Sequence, residues 1–440
     1  MSPLPSDVSV VTINWNGRVH LETLLPSLQK TGCSEILVVD NNSNDGSKEF
    51  IRNRFPRVQL IENDRNQGFA HPCNQAVDKT TTRYVAFINN DMKAHPDWLR
   101  SALPHLNKKT PCVASRILDW EGNRIDFNGS SLQYLGYALQ RDLDRLLEDV
   151  SHEEEVLFPC GGALVIDREV FLEVGGFDRD YFAIFEDVDL GWRLWVMGYR
   201  IAFAADSITY HRQHSTLRIQ ETPKVRYLMH RNALFTILKN YDDHHFQKIL
   251  PLAVAMAVKR AVHFSGANRE SFYLWSDLET DMQSGNMEIQ AKLLDSLTHL
   301  VAVDDVLEHL PYLLEKRNQI QKRRRRTDKK IFDRFIDPFR LIVEDPNYAY
   351  QELRHLDQLD FTTFKPTSHQ KVVMKLPDQL EKKIQRLSQE LSQQQWMFYQ
   401  NLTKVSFETK PLLSRFFRSL RENGFRNTWK LLKERVEDGL

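Results

Sequence analysis

The residues best placed to do chemistry are acids and amides that follow short β-branched runs. Asn14 to Asn16, Asp40-Asn41-Asn42 and Asn89-Asn90-Asp91 each close such a run, and a second acidic cluster, Glu186-Asp187-Val188-Asp189, stands much later in the chain. A nucleotide's diphosphate has to be neutralised, usually by a Gly-rich turn or by a metal ion held on carboxylates. Neither G-x-G-x-x-G after the first run nor G-x-x-x-x-G-K-[ST] anywhere is present, which argues against a dehydrogenase and a P-loop NTPase. That leaves Asp91 as a candidate metal ligand on the same edge as Asp40. The Glu186-Asp187 pair begins a stretch with Leu190, Leu194 and Met197 at helical spacing. The plain reading is that these acids cap the helix and that Asp189 pairs with Arg193 at i+4. His211 reads equally well as a lone surface histidine.

The elements that must position these residues follow from periodicity. Val8–Ile13, Ile36–Val39, Val58–Ile61 and Tyr84–Ile88 alternate with helical patterns at Leu21/Leu24/Leu25/Leu28, Ser47–Arg54 and Phe69–Lys79. That βαβαβαβ order predicts a parallel sheet flanked by helices, in which ligands gather at the carboxyl ends of the strands where strand order reverses. A mixed block follows, with strands expected near Val113–Ile117, Leu157–Ile166 and Arg200–Phe203. Between them Arg141 to Glu155, dense in charge, is expected to be a mobile loop or short helix. From Thr222 onward the pattern is mainly helical.

Composition sets the outer bounds. The 440 residues, 41% hydrophobic and 27% charged, describe an ordinary globular chain of two or three folding units, and no internal repeat is found. Net charge is zero, yet residues 301–440 hold 27 basic against 20 acidic side chains, so the basic excess lies at the C-terminal end. Cys33, Cys73, Cys112 and Cys160 show no C-x-x-C pair and read as reduced thiols of a cytoplasmic protein. The start carries no secretory-leader pattern, and the longest apolar run, Ile249 to Val258, is about half the ~20 residues a membrane span needs.

Taken in order, Val10 to Gly17, Ile36 to Gly46, Asn66 to Ala70 with Asn74, and Phe87 to Asp91 resemble the inverting nucleotide-sugar glycosyltransferases of family 2, in particular their rhamnosyltransferase-like branch. The likeness resumes at Cys160 to Ala163, Gly175 to Asp178, Phe185 to Arg193, Gly198-Tyr199 and His211, and spans roughly the first half of the chain. It implies a GT-A-like, Rossmann-like α/β fold with a mostly parallel sheet flanked by helices. The implied organisation is a catalytic domain at 1–215, a helical region at 216–326 and a basic helical region at 327–440.

The resemblance also implies roles. Asp40, with Thr12, Asn14, Asn42, Asn66, Asn74 and Asn90, would bind the nucleotide sugar. Asp91 and His211 would hold a divalent metal, Mg²⁺ or Mn²⁺. Asp187, within the Glu186-Asp187 pair, would be the catalytic base, while Gly161, Gly162 and Trp192 would meet the acceptor, a glycan or lipid-linked glycan of cell-surface polysaccharide synthesis. Asn89 stands where the family has the first acid of its D-x-D motif, so Asp91 is the motif's one charged ligand here. A nucleotidyltransferase and a non-catalytic nucleotide-sugar scaffold are the rival classes.

For the C-terminal half, Arg218 to Tyr241 reads as a basic amphipathic helix that either packs on the catalytic domain or docks on an anionic bilayer. Lys322 to Arg326 reads as a hinge or surface ridge, either solvated or touching anionic lipid. Nucleic acid ranks last for a neutral chain without a recognition motif. With a second basic stretch from Arg415 to Lys433, the expectation is peripheral attachment to the cytoplasmic face of the inner membrane.

Overall fold

A computed structural model describes residues 3–152, 154–212, 222–265 and 287–335, with side chains from residue 296 in the last stretch. All belong to the first of two compact units, Met1–Gln370; the second, Lys371–Leu440, lies outside the described residues, as do the expectations for Arg415 to Lys433.

The first half alternates as its periodicity requires: β1 (Val8–Asn14), α1 (Arg18–Gln29), β2 (Glu35–Asp40), α2 (Ser47–Arg54), β3 (Gln59–Glu62), α3 (Ala70–Val77) and β4 (Tyr84–Ile88). Then come β5 (Met92–Ala94), α4 (Trp98–Ala102), β6 (Cys112–Asp119), β7 (Ile125–Phe127), β8 (Ser130–Leu132), β9 (Ala138–Gln140), β10 (Ala163–Asp167), α5 (Arg168–Glu173), α6 (Glu186–Val196) and β11 (Ile201–His211). Helices α7 (Pro223–Asn240), α8 (Asp243–Ser265), α9 (Met287–Glu308), α10 (Leu310–Lys322) and α11 (Asp328–Phe335) follow.

Nine strands form one sheet in the order β3-β2-β1-β4-β10-β6-β11-β5, with β7 beside β6. β1 to β4, β6 and β11 run one way; β5, β7 and β10 run against them. The sheet is mostly parallel, as expected, and becomes mixed where β10 enters antiparallel between β4 and β6. Leu21, Leu24, Leu25 and Leu28 of α1 are fully buried, each contributing roughly 1.5–3 kcal/mol. Strand order reverses between β1 and β4, so Asn14, Asp40 and the Asn89 to Asp91 turn gather at one edge.

Three expectations change. The strand expected at Leu157–Ile166 begins only at Ala163, because residues before it turn to bring Gly161 against α6. Arg141 to Glu155 includes one 3₁₀ turn, Leu147–Asp149, with its neighbours bonded back to the β7 strand and its approach: Ile125 N donates to Arg145 O and Leu147 N to Asn123 O. In the Lys322 to Arg326 run, Lys322, Arg323 and Arg325 are exposed as a surface ridge expects, whereas Arg324 and Arg326 turn back onto the main chain. Arg326 Nη1 donates to Trp195 O (2.9 Å) and Tyr199 O (2.8 Å), and Arg324 donates to Asn240 O and Asp328 Oδ1. These guanidiniums satisfy the carbonyls that the ends of α6 and α7 leave without intrahelical partners.

Over its described part, the Arg218 to Tyr241 stretch follows the packing alternative. His230 to Asn240 are all buried, Arg231 pairs with Asp305 (3.2 Å) and Lys239 with Asp189 (2.9 Å). Among the described residues no helix is long and apolar enough to cross a membrane, and all four cysteines are free thiols.

Candidate active site

The amide-rich edge is a bonded network. Asn14 Nδ2 donates to Asp40 Oδ2 (2.9 Å) and Ser43 Oγ (3.1 Å), and Ser43 N donates to Asp40 Oδ1 (2.7 Å). Asn14 Oδ1 in turn accepts from Asn90 Nδ2 (3.0 Å), so one side chain bridges the ends of β2, β1 and β4. Gly17 makes this approach sterically feasible: a Cβ there would lie 2.2 Å from Asn90 Nδ2. A second tier runs from Asn63 to Asn41 (3.0 Å), and from Asn41 to Gly68 O (2.7 Å) and Asn66 Oδ1 (3.3 Å). Asn42, with φ of 66°, and Asn66 are exposed at the mouth. Asp40 is fully buried and Thr12 nearly so. Asp40 thus meets Asn14 and the Ser43 turn with its two carboxylate oxygens.

Beside this network stand Asp91 and His211. His211 ends β11 in register with Met92, which places its Nε2 3.2 Å from Asp91 Oδ2, while Nδ1 is hydrogen-bonded to Asp126 Oδ2. Burial by itself would lower the imidazole, but the bonds and charges of Asp126 and Asp91 outweigh it and push His211 up to about 10. A carboxylate oxygen facing an imidazole nitrogen whose other nitrogen is oriented by a second carboxylate is a donor set that suits a divalent cation. Asp126 is absent from the sequence reading. It lies in a three-residue strand with no motif and no fixed spacing from Asp91 or His211, so only the β6–β7 pairing reveals it.

The acidic side is built on α6. Gly161 N donates to Asp187 Oδ2 (2.7 Å) and Val188 N to Asp187 Oδ1 (2.7 Å); the N-cap itself is Phe185, with no side-chain cap bond, so Glu186 and Asp187 open the helix without capping it. A Cβ on Gly161 would sit 3.2 Å from Glu186 Oε1, and one on Gly162 would sit 2.9 Å from Asn89 Nδ2. Asn89 N donates to Gly162 O (3.2 Å), so the two glycines tie Asp187 to the Asn89 to Asp91 turn. Burial raises Asp187 to about 6 against the lowering bonds from Gly161 and Val188. Glu186 is raised well above the usual carboxylate range, by burial first and by the Asp187 charge second, and its Oε2 is buried without a hydrogen-bond partner. The two neighbouring acids are thereby set apart, Glu186 held well above the usual carboxylate range and Asp187 at about 6. Asp189 does pair with Arg193, at 2.9 Å.

Two expected site residues stand elsewhere. Trp192 is fully buried and stacked on Tyr241 (5.1 Å between centroids) with Phe332 beside it (5.5 Å), so it belongs to the core between α6, α7 and α11 and not to an acceptor surface. Asn74 spends both ends of its amide on the Phe177 main chain (2.7 and 2.9 Å), clasping α3 to the loop after α5. The remaining residues are brought together: Asp40 reaches Asp91 through Asn14 and Asn90, and Asp91 reaches Asp187 through Asn89 and the glycines.

Residues 9–175 match the family described as Glycosyl transferase family 2. The chain is 24% identical over 241 residues to N-acetylglucosaminyl-diphospho-decaprenol L-rhamnosyltransferase of Mycobacterium tuberculosis, covering 48% of this chain and 77% of that protein. It is 27% identical over 217 residues to pre-mycofactocin glycosyltransferase of the same organism, covering 49% of this chain and 45% of that protein. Among solved structures, S. aureus TarS 1-349 is similar at 17% identity with a TM-score of 0.42, over 71% of this chain and 88% of that one.

Proposed function

From a chain that carries a glycosyltransferase family 2 domain over residues 9–175, we propose that it moves a sugar, rhamnose as the leading candidate, from a nucleoside diphosphate to a hydroxyl of a lipid-linked glycan. The observation that carries this reading is the continuous contact from the amide network through Asn89 to Asp91 and the paired glycines to Asp187. It supports reading the amide network as a nucleotide cradle, Asp91 and His211 as a cation-binding pair and Asp187 as a proton acceptor. The choice of sugar and acceptor rests on the rhamnosyltransferase relative and what its name says it acts on.

Asn42, Asn66 and Asn90 supply amide donors and acceptors to the nucleotide, with Asp40 and Asn14 fixing the floor beneath them. Asp91 and His211 would hold Mg²⁺ or Mn²⁺ together with donor phosphate oxygens, while Asp126 keeps the imidazole oriented. When bound, the ion neutralises charge on the departing diphosphate. Asp187 accepts the proton of the acceptor hydroxyl; two amide bonds leave its carboxylate with lone pairs to spare, and its value near 6 keeps it ionised at neutral pH. Attack on the face opposite the leaving group inverts the anomeric centre in one displacement, with no covalent sugar on the enzyme.

The test is to incubate the protein with dTDP-rhamnose or UDP-hexoses, Mg²⁺ or Mn²⁺, and a diphospholipid-linked N-acetylglucosamine. Release of nucleoside diphosphate with an inverted product anomer is expected. Release of pyrophosphate from a nucleoside triphosphate would identify a nucleotidyltransferase instead, and nucleotide-sugar binding without turnover a scaffold.

A further inference from the structure

The segment that delivers Glu186 and Asp187 to the cleft is strained. Phe182, Ile184 and Phe185 all have left-handed φ, at 62°, 70° and 71°, and none is glycine. β-branched and bulky residues hold such angles only where the surroundings over-determine them. Ala183 N closes a tight turn on Tyr181 O (2.7 Å).

Every main-chain carbonyl from Asp180 to Ile184 is taken by a donor from a helix elsewhere in the chain. Phe182 O accepts from Phe69 N (2.7 Å) and Ala70 N (3.2 Å) at the start of α3, where Gly68 permits the approach because a Cβ would lie 2.3 Å from that oxygen. The other carbonyls are taken by two consecutive residues of α7. Arg231 Nη2 donates to Asp180 O (2.8 Å) and Tyr181 O (3.1 Å). Asn232 Nδ2 is shared among Tyr181 O (3.1 Å), Ala183 O (3.0 Å) and Ile184 O (2.5 Å). Arg231 Nε also donates to Asn232 Oδ1 (3.0 Å), which fixes the amide with its NH₂ toward the carbonyls, and Arg231 is itself anchored on Asp305 (3.2 Å). Asn232 is fully buried, so bulk solvent does not reach its contacts with these carbonyls.

We propose that Arg231 and Asn232 are positioning residues for the transfer reaction, holding residues 180–185 in their left-handed course and so setting Asp187 against Gly161. The role rests on the reading of Asp187 as proton acceptor. Both residues lie beyond the family-matched stretch, which makes α7 part of the working site rather than an appended support.

The experiment compares Asn232→Ala, Asn232→Asp and Arg231→Gln with the unsubstituted chain, measuring kcat, donor KM, and calorimetric binding of dTDP with Mn²⁺ to count folded molecules. Asn232→Ala is expected to lower kcat per folded molecule about 100-fold while dTDP affinity stays unchanged, since a small misplacement of a reacting group costs that much. Asn232→Asp keeps the shape but offers oxygen to oxygen, and is expected to do no better. Arg231→Gln is expected to fall between. A merely structural role would lower the folded fraction and leave kcat per folded molecule intact, and that result overturns the proposal. If Asn232→Ala does not fold, Arg231→Gln decides by the same criterion. Asp187→Asn run alongside separates the two failures: full turnover there removes the proton acceptor and the positioning role with it, whereas a dead Asp187→Asn beside a normal Asn232→Ala removes the positioning role alone.

Discussion

Glu186 and Asp187 face Gly161 and the cleft, whereas Asp189, on the same first turn of α6, faces the core against Arg193 (2.9 Å), Lys239 (2.9 Å) and Asn240 (2.8 Å). Burial pushes each of the three acids up. For Asp189 burial is outweighed by Arg193 and Lys239, and the group is held below the usual carboxylate range. For Asp187 no cation answers burial and the value rises to about 6. The difference teaches that a neighbouring cation is what holds a buried acid of this helix below the usual carboxylate range. Lys239 is supplied by α7, the helix that also holds the loop before Glu186.

The comparison can be broken at several points. Asp187→Asn should lower kcat by about 1000-fold, within the usual range for removing a general base, with dTDP affinity unchanged in calorimetry. The matching change at Asp189 should leave kcat per folded molecule alone and instead cost about 3 kcal/mol in denaturant unfolding, because it strips a partner from buried cations. Equal behaviour of the two variants would erase the distinction. Asp126→Asn should weaken Mn²⁺ binding by roughly 10- to 100-fold, read by the paramagnetic signal of the free ion, since it disorients the imidazole without removing a ligand. Turnover should fall about tenfold per pH unit on the acid side of about 6, because a raised carboxylate is protonated below its value and cannot accept a proton. A plateau extending to pH 4 would remove Asp187 from the role. The smallest effect is expected at Glu186→Gln, a nearly isosteric change at an acid that burial and the Asp187 charge push well up; kcat within a few fold of normal would show that transfer does not need a charge there.

How much of this was legible beforehand differs by region. Leu21 to Leu28, the β-branched runs and the polar residues after them were readable because periodicity and strand-end position are local properties, and the observed α2 and β4 bounds are those expected. Trp192 misled because motif spacing does not say which way a helix face turns; six residues after Glu186 it points into the α7 and α11 core. Asn74 misled because an amide in a polar motif looks the same whether it meets a ligand or a main chain 103 residues away. In the basic run, Lys322, Arg323 and Arg325 are indeed at the surface, but charge alone does not reveal that Arg324 and Arg326 meet main-chain carbonyls far away in the chain.

Sequence alone determined the strand and helix order, the edge at which Asn14, Asp40 and Asp91 assemble, and the acidic start of α6, since each follows from short-range patterning and from the switch point that a βαβ order imposes. The tertiary structure decided which acid is paired and which is raised, that Asp126 stands behind His211, and that Asn232 holds a strained loop it does not adjoin in the chain. Those depend on burial and on partners brought from far along the chain, and a carboxylate's charge is set by what surrounds it in space.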